Sequence, residues 1–268
     1  MNNPFFEPKE AELIDSFLKN GYVVFPLEKP TGVDEVRTTI LDLACKFLRL
    51  DKKPDEKKFF DRVQDFVSVE QLNAFRVSII QGMATNKSLR PVIYSLAKNS
   101  LNWIVGNELA MQRACNLSIQ LPKDPSSLLP MHCDTWQGNS PFEVVFWLPL
   151  VDCYKTKSMY ILPRESTEYV VKHFDKYSKF SAEDLFNEFK SKLIWLDVPK
   201  GHGLIFSHAM LHGNVINEES DTRWSMNIRF KPLLSPYSSK ELGESFLPIT
   251  LRGATRIGYQ MKEPVLGV

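Results

Sequence analysis

The chain has 268 residues, a formal charge of +1, 43% hydrophobic residues and 24% charged residues. The apolar fraction supplies a sizeable core and excludes global disorder, and the near-neutral charge argues against a general nucleic-acid binder. Four cysteines (Cys45, Cys115, Cys133 and Cys153) form no C-x-x-C pair and no zinc-ribbon spacing, so a disulfide framework is not expected and a reducing compartment is the default.

In chain order, "MNNPFFEPKEAELI" lacks the basic start and long apolar core of a signal peptide. The longest apolar run, "VVFWLPLV" (144–151), is too short to span a bilayer. The expectation is a soluble cytoplasmic protein with no membrane partner. "PKEAELIDSFLKNG" reads as an amphipathic helix stopped by Gly21, and "YVVFPL" follows as a strand. Residues 33–50 set Val36, Ile40, Leu43, Ala44, Phe47 and Leu48 on one helical stripe. The charged run "DKKPDEKKFFDR" reads as a solvated loop or an exposed helix face. Two further helices are expected over 68–83 and 90–105. From about residue 109 the pattern changes to short β-rich segments punctuated by Pro, Gly, Asn and Asp, which suggests a sandwich or barrel. One helix interrupts them at "SAEDLFNEFKSKL", where Ser181 and Asp184 have capping-box spacing. The expected organisation is one domain over 1–268, mainly β with helices. Residues 1–108 are its helical support and 109–235 its β core, with a helical insertion near 165–193. Residues 236–268 form a C-terminal extension.

The chemistry-bearing residues are few. "PMHCDTWQG" places His132 two residues before Asp134 in a chain with only five histidines. In a strand, residues i and i+2 share a face about 6.5 Å apart, so both side chains could converge on one cation. The plain alternative is a polar turn in which Asp134 accepts backbone hydrogen bonds. Cys133, between them, would point the other way as a small apolar filler. "GHGLIFSHAMLHGN" offers a third ligand among His202, His208 and His212. His208 and His212 would lie about 13 Å apart in an extended strand, so only one could join the same ion. His212, at the strand end beside Gly213, is the better placed. His208 reads as a core residue, His202 as a turn residue and His173 as a surface residue.

Two histidines and one carboxylate suit non-haem Fe(II) and leave adjacent positions free, although zinc accepts the same donors. Eleven residues after His212, "TRWSMNIRF" offers Arg223, with Ser225 on the same face; a hairpin could lay Arg223 on the strand beside His212. A guanidinium inside an apolar barrel is costly unless a carboxylate meets it, and arginine grips a carboxylate through two parallel hydrogen bonds. The alternative is a surface arginine paired with Asp221 or Glu219. Trp147, in "FEVVFWLPLVD", could wall the same cavity or sit in the core.

His132-x-Asp134, His212 and Arg223-x-Ser225, in that order and spacing, with "GLIFSHAMLHGN" and "NGYVVFPL", resemble the Fe(II)/2-oxoglutarate-dependent oxygenases of the phytanoyl-CoA dioxygenase superfamily. "LPMHCDTWQGNSPFEVVFWLPLVDCYKTKSMYILP" further resembles a bacterial subgroup of carbohydrate-cluster oxygenases. The resemblance implies a double-stranded β-helix, a cupin-like jelly roll. It implies Fe(II) held by His132, Asp134 and His212, with 2-oxoglutarate as cosubstrate and dioxygen as oxidant. Arg223 would bind the distal carboxylate of 2-oxoglutarate with help from Ser225, and Asn214 and Trp147 would lie near the cosubstrate. The activity implied is a dioxygenase hydroxylating a small polar metabolite such as a sugar or sugar nucleotide in carbohydrate biosynthesis. Gln120, Trp136, Gln137 and Glu143 are candidate hydroxyl contacts, and Arg164 is a candidate for a substrate phosphate or carboxylate against a surface salt bridge. Two alternatives use the same barrel: a Zn-dependent hydrolase or isomerase, and a non-catalytic cupin-like binding protein.

Overall fold

A computed structural model describes residues 3–261. The helices of the first half are α1 (Pro8–Asn20), α2 (Thr31–Leu48), α3 (Glu56–Asp61), α4 (Val69–Thr85), α5 (Leu89–Leu96) and α6 (Lys98–Ile104), with β1 (Tyr22–Pro26) between the first two. The second half holds β2 (Leu109–Gln112), β3 (Asn116–Gln120), β4 (Val144–Pro149) and β5 (Tyr160–Ile161), then the inserted helices α7 (Arg164–Lys172), α8 (Phe174–Tyr177) and α9 (Ala182–Phe189). It closes with β6 (Ile194–Trp195), β7 (His202–Ser207), β8 (His212–Gly213), β9 (Arg223–Pro232), β10 (Phe246–Pro248) and α10 (Gly253–Gln260). Helices hold more of the described residues than strands do. The fold is therefore a mixed helix and antiparallel-sheet structure, more helical than the expected mainly-β class.

Two antiparallel sheets organise the second half. The larger runs β1-β7-β4-β9-β2-β10, with β3 also paired to β9; the smaller runs β6-β5-β8. β9 is the axis of the larger sheet. One edge pairs along β4, and the other is shared between β3 at its start and β2 at its end. Alternation along β9 explains its place. Trp224, Met226, Ile228 and Phe230 are fully buried in the main core, while Arg223, Ser225, Asn227 and Arg229 line a cavity. That is the period of two expected of a strand with different neighbours on its two faces. The expected 236–268 extension contributes β10, which pairs with β2 in the larger sheet; its last seven residues lie outside the described ones.

The helical layer packs on the apolar face of this sheet. Gly21 ends α1 at φ +78°, its amide closing on the Phe17 carbonyl, a left-handed conformation that glycine takes without strain. The run 51–62 differs from its reading as a solvated segment: Phe59 and Phe60 of α3 are fully buried. Their rings lie 6.1 and 5.0 Å from that of Trp224. Arg37 of α2 ties α3 down, its Nε donating to Glu56 at 2.7 Å and its guanidinium lying over the Phe60 ring. The helix expected over 90–105 is broken at Ala97 into α5 and α6. A second apolar cluster joins Tyr160, Leu162 and Leu211 to the insertion through Val170, Tyr177, Leu185 and Phe189. Ser181 and Asp184 cap α9 reciprocally, as their spacing suggests. All four cysteines are free and buried, and no helix among the described residues is long and apolar enough to cross a membrane.

Candidate functional site

The segment after β3 and the segment after β7 meet at one backbone bridge. His132 donates its amide to the His212 carbonyl at 2.9 Å, and His212 returns the bond at 3.0 Å. This pairing sets the two imidazoles side by side, with ring centroids 4.3 Å apart. Asp134 does not share a strand face with His132, because it begins a 3-10 turn, Asp134–Gln137. The turn curls the carboxylate back, and one ligand atom from each of His132, Asp134 and His212 lies within 4.8 Å of the others. Gly213 lets the strand come this close: a Cβ there would stand 2.5 Å from the Tyr160 hydroxyl and 2.8 Å from the Leu129 carbonyl oxygen.

Both imidazoles are oriented by main chain. His132 Nδ1 lies 2.8 Å from the Pro130 carbonyl and His212 Nδ1 2.9 Å from that of Met210. With those protons donated, each Nε2 keeps a free lone pair, the tautomer a metal ligand needs. Burial, and then the neighbouring His132, hold His212 down to about 4 against the pull of Asp134, so it is neutral at neutral pH. Burial opposes ionisation of Asp134, but the attraction of His208, His212 and Arg229 wins and its carboxyl lies below the ordinary value. Arg229 donates to Oδ1 at 3.1 Å, which leaves Oδ2 facing the imidazoles. Two nitrogens and one carboxylate oxygen of this kind fit a borderline divalent cation.

The same cavity, about 440 Å³, is lined by every residue predicted for the site: His132, Asp134, Trp147, His212, Asn214, Arg223 and Ser225. Arg223 is 3% exposed. Its guanidinium donates to the Ser158 carbonyl at 3.3 Å and to Ser118 Oγ at 3.0 Å, and its Nε has no partner. It forms no ion pair with Asp221, Glu219 or any other acid among the described residues. Burial lowers its pKa to about 10, which leaves it charged at neutral pH. Ser225 Oγ, beside it on β9, is also buried and unpartnered. An unpaired buried cation and two orphan polar atoms in one wall are costly, and a carboxylate in the cavity would relieve all three.

Several readings from sequence change in detail. Arg223 does not lie on the strand beside His212, since β8 pairs with β5 in the smaller sheet and β9 belongs to the larger. β7 stops at Ser207, so His208 sits in the turn that separates it from β8, not inside a strand. His202 opens β7 opposite Pro26 instead of lying in the preceding turn. Asn214 spends its amide on the neighbouring loop, its oxygen accepting from the Leu129 amide at 2.6 Å. Of the four residues considered for hydroxyl contacts, only Gln137 lines the cavity. Gln120 donates to the Val215 carbonyl, Glu143 is buried against the Ser140 amide, and Trp136 packs on Phe174. Arg164 pairs with Glu168 at the surface. Residues missed from sequence are Asn227 and Arg229, which continue the Arg223-x-Ser225 alternation and could have been found from it, and Arg76, which comes from the helical half.

No family model and no curated protein matches this chain. Solved structures do. The non-haem monooxygenase ThoJ, in its apo form, is 14% identical over 90% of this chain and 84% of its own, with a TM-score of 0.58. The non-haem alpha-ketoglutarate-dependent carbocyclase SnoK from nogalamycin biosynthesis is 15% identical over 92% and 98%, with a TM-score of 0.52. Apo HygX from Streptomyces hygroscopicus is 13% identical over 84% and 88%, with a TM-score of 0.50. At such identities the likeness is one of fold.

Proposed function

We propose that this chain is a single-domain Fe(II)- and 2-oxoglutarate-dependent oxygenase with a double-stranded β-helix core, acting on a small polar metabolite. One observation carries the reading. Two imidazoles presenting Nε2 and one carboxylate converge in a cavity whose wall also holds a buried arginine with no acid to neutralise it. The fold-neighbours, whose names describe a non-haem monooxygenase and an alpha-ketoglutarate-dependent carbocyclase, support the same reading.

His132, Asp134 and His212 would hold the iron, and Arg223 would grip the far carboxylate of 2-oxoglutarate with the Ser225 hydroxyl beside it. The chemistry such an ion supplies when bound is activation of dioxygen at the expense of 2-oxoglutarate, which leaves as succinate and carbon dioxide. The chain's own work is orientation and exclusion. The Pro130 and Met210 carbonyls fix both imidazole tautomers, and Arg229 holds one oxygen of Asp134 so that the other faces inward. Trp147, Phe206 and Met159 wall the cavity against water. Hydroxylation is the outcome we assign by default, and a sugar or sugar nucleotide is the substrate that the resemblance carried by residues 129–163 suggests. A Zn-dependent hydrolase would leave Arg223 without a purpose, and a barrel that only binds would have no need of a metal at His132, Asp134 and His212.

The test is succinate formation from 2-oxoglutarate with Fe(II) and ascorbate, without added substrate. Wild type is expected to turn over slowly and Asp134→Ala not at all. Equal succinate from the two proteins would overturn the assignment.

A further inference from the structure

The charges lining the cavity are lopsided. Three arginines, Arg76, Arg223 and Arg229, line it with a single acid, Asp134, and no lysine or glutamate is among the lining residues. Each arginine has a different situation. Arg229 is spoken for by Asp134. Arg223 is the deep, acid-free cation that the proposed function gives to the cosubstrate. Arg76 remains. It stands on α4, which packs on β3, and its one side-chain hydrogen bond among the described residues goes to Asn73 Oδ1 at 2.8 Å. It is half-buried and pairs with no acid there. Around it the wall is polar: Asn116, Ser126 and Gln137 line the same cavity. So does Asn227, whose amide oxygen is buried without a partner.

We infer that the primary substrate is an oxygen-rich anion, and that Arg76 is the counter-ion for its carboxylate or phosphate. The inference rests on the proposed function, because it assigns Arg223 to 2-oxoglutarate and Asp134 to the metal. Once a divalent ion and a dianionic cosubstrate are in place, their charges cancel and the wall keeps its positive excess. An ammonium substrate would meet no carboxylate free to receive it. A neutral polyol would satisfy the asparagine, serine and glutamine side chains but leave Arg76 unused. A carboxylate or phosphate uses both sets, through charge-assisted hydrogen bonds to the guanidinium and ordinary ones to the amides. The cavity volume, about 440 Å³, is in the range of small-molecule sites, about 300–1,000 Å³.

The experiment uses the full chain loaded with Ni(II) and saturating 2-oxoglutarate. Four probes share one ring and differ in charge: glucose, glucosamine, glucuronate and glucose 6-phosphate. Their dissociation constants are read by ligand-observed NMR at low salt. One or both anions are expected to bind about tenfold more tightly than glucose, as a charge-assisted hydrogen bond provides, with glucosamine weakest. The tighter anion tells carboxylate from phosphate recognition. Arg76→Gln should bring the anions to within about twofold of glucose, a residue of under about 0.5 kcal/mol, and Arg76→Glu should move glucosamine ahead of them. Four equal responses, including four absent ones, overturn the inference, as does an anion preference that survives both substitutions. Stabilisation of the Ni(II)-loaded wild type by 2-oxoglutarate is read first. Its absence would sink the cosubstrate assignment, whereas its presence with no charge preference sinks this inference alone.

Discussion

Arg223 and His208 show how burial sets the chemistry of single residues here. Arg223 is held by a carbonyl and a serine hydroxyl, with no counter-charge, so a dicarboxylate in the cavity gains the pairing that the fold withholds. With Ni(II) bound, 2-oxoglutarate at one hundred times its Kd should stabilise the wild type by about 2.7 kcal/mol. Arg223→Ala should lose most of that gain in a thermal-shift titration, and an equal gain in the variant would remove Arg223 from the cosubstrate site. His208 lies 3.8 Å from Asp134 and 3.4 Å from Glu143, distances at which a carboxylate favours the protonated imidazole. Neither ring nitrogen makes a hydrogen bond, however, and complete burial outweighs the attraction of Asp134, taking the pKa down to about 3. His208 is therefore neutral when folded and takes up a proton on unfolding below its unfolded value of about 6.5. Its contribution to stability is full above about pH 6.5 and is lost as the pH falls toward 3. From pH 7 to 5 the metal-free protein should lose about 2 kcal/mol through this imidazole. Urea unfolding at the two pH values checks the loss, which His208→Leu should reduce by that amount.

At the scale of elements, β9 couples the core to the site. Trp224 sits between two cavity-facing residues, Arg223 and Ser225, and is fully buried with its ring near those of Phe59, Phe60 and Phe75. Trp224→Ala should cost about 3–5 kcal/mol in denaturant unfolding. A loss below about 1 kcal/mol would show that α3 does not depend on this contact. Legibility from sequence follows the same division. β1, β9, α1, α2 and α9 were readable because periodicity, a glycine stop or a capping pair lies within each segment. The burial of α3 was not, because lysines and acids outnumber Phe59 and Phe60 locally. Only the distant Trp224 makes those two rings core residues. The geometry of His132 and Asp134 was legible in its result and not in its cause. The i, i+2 spacing suggested a strand, yet a bridge to His212 and a 3-10 turn bring the three side chains together.

For the whole molecule, the near-neutral total charge conceals a cavity in which positive side chains predominate. Composition argued against a general nucleic-acid binder but carried no information on where the charges gather. Arg76 shows the limit: it reaches the cavity from the helical half, and no local pattern in α4 announces that destination. The chain order of His132, Asp134, His212, Arg223 and Ser225 was visible, whereas the division of His212 from Arg223 and Ser225 between two sheets depends on pairings between distant segments. The reciprocal bond between His132 and His212 has a consequence for loading. Under the proposed function, a main-chain clasp between these two segments would order both imidazoles without help from the ion, and uptake would require no loop to close. A chelator should then strip the ion without loosening the clasp. The His132 and His212 amides should be slow to exchange with deuterium in metal-free protein and similar to each other in protection, and free exchange at both would mean that the ion, not the chain, ties the knot.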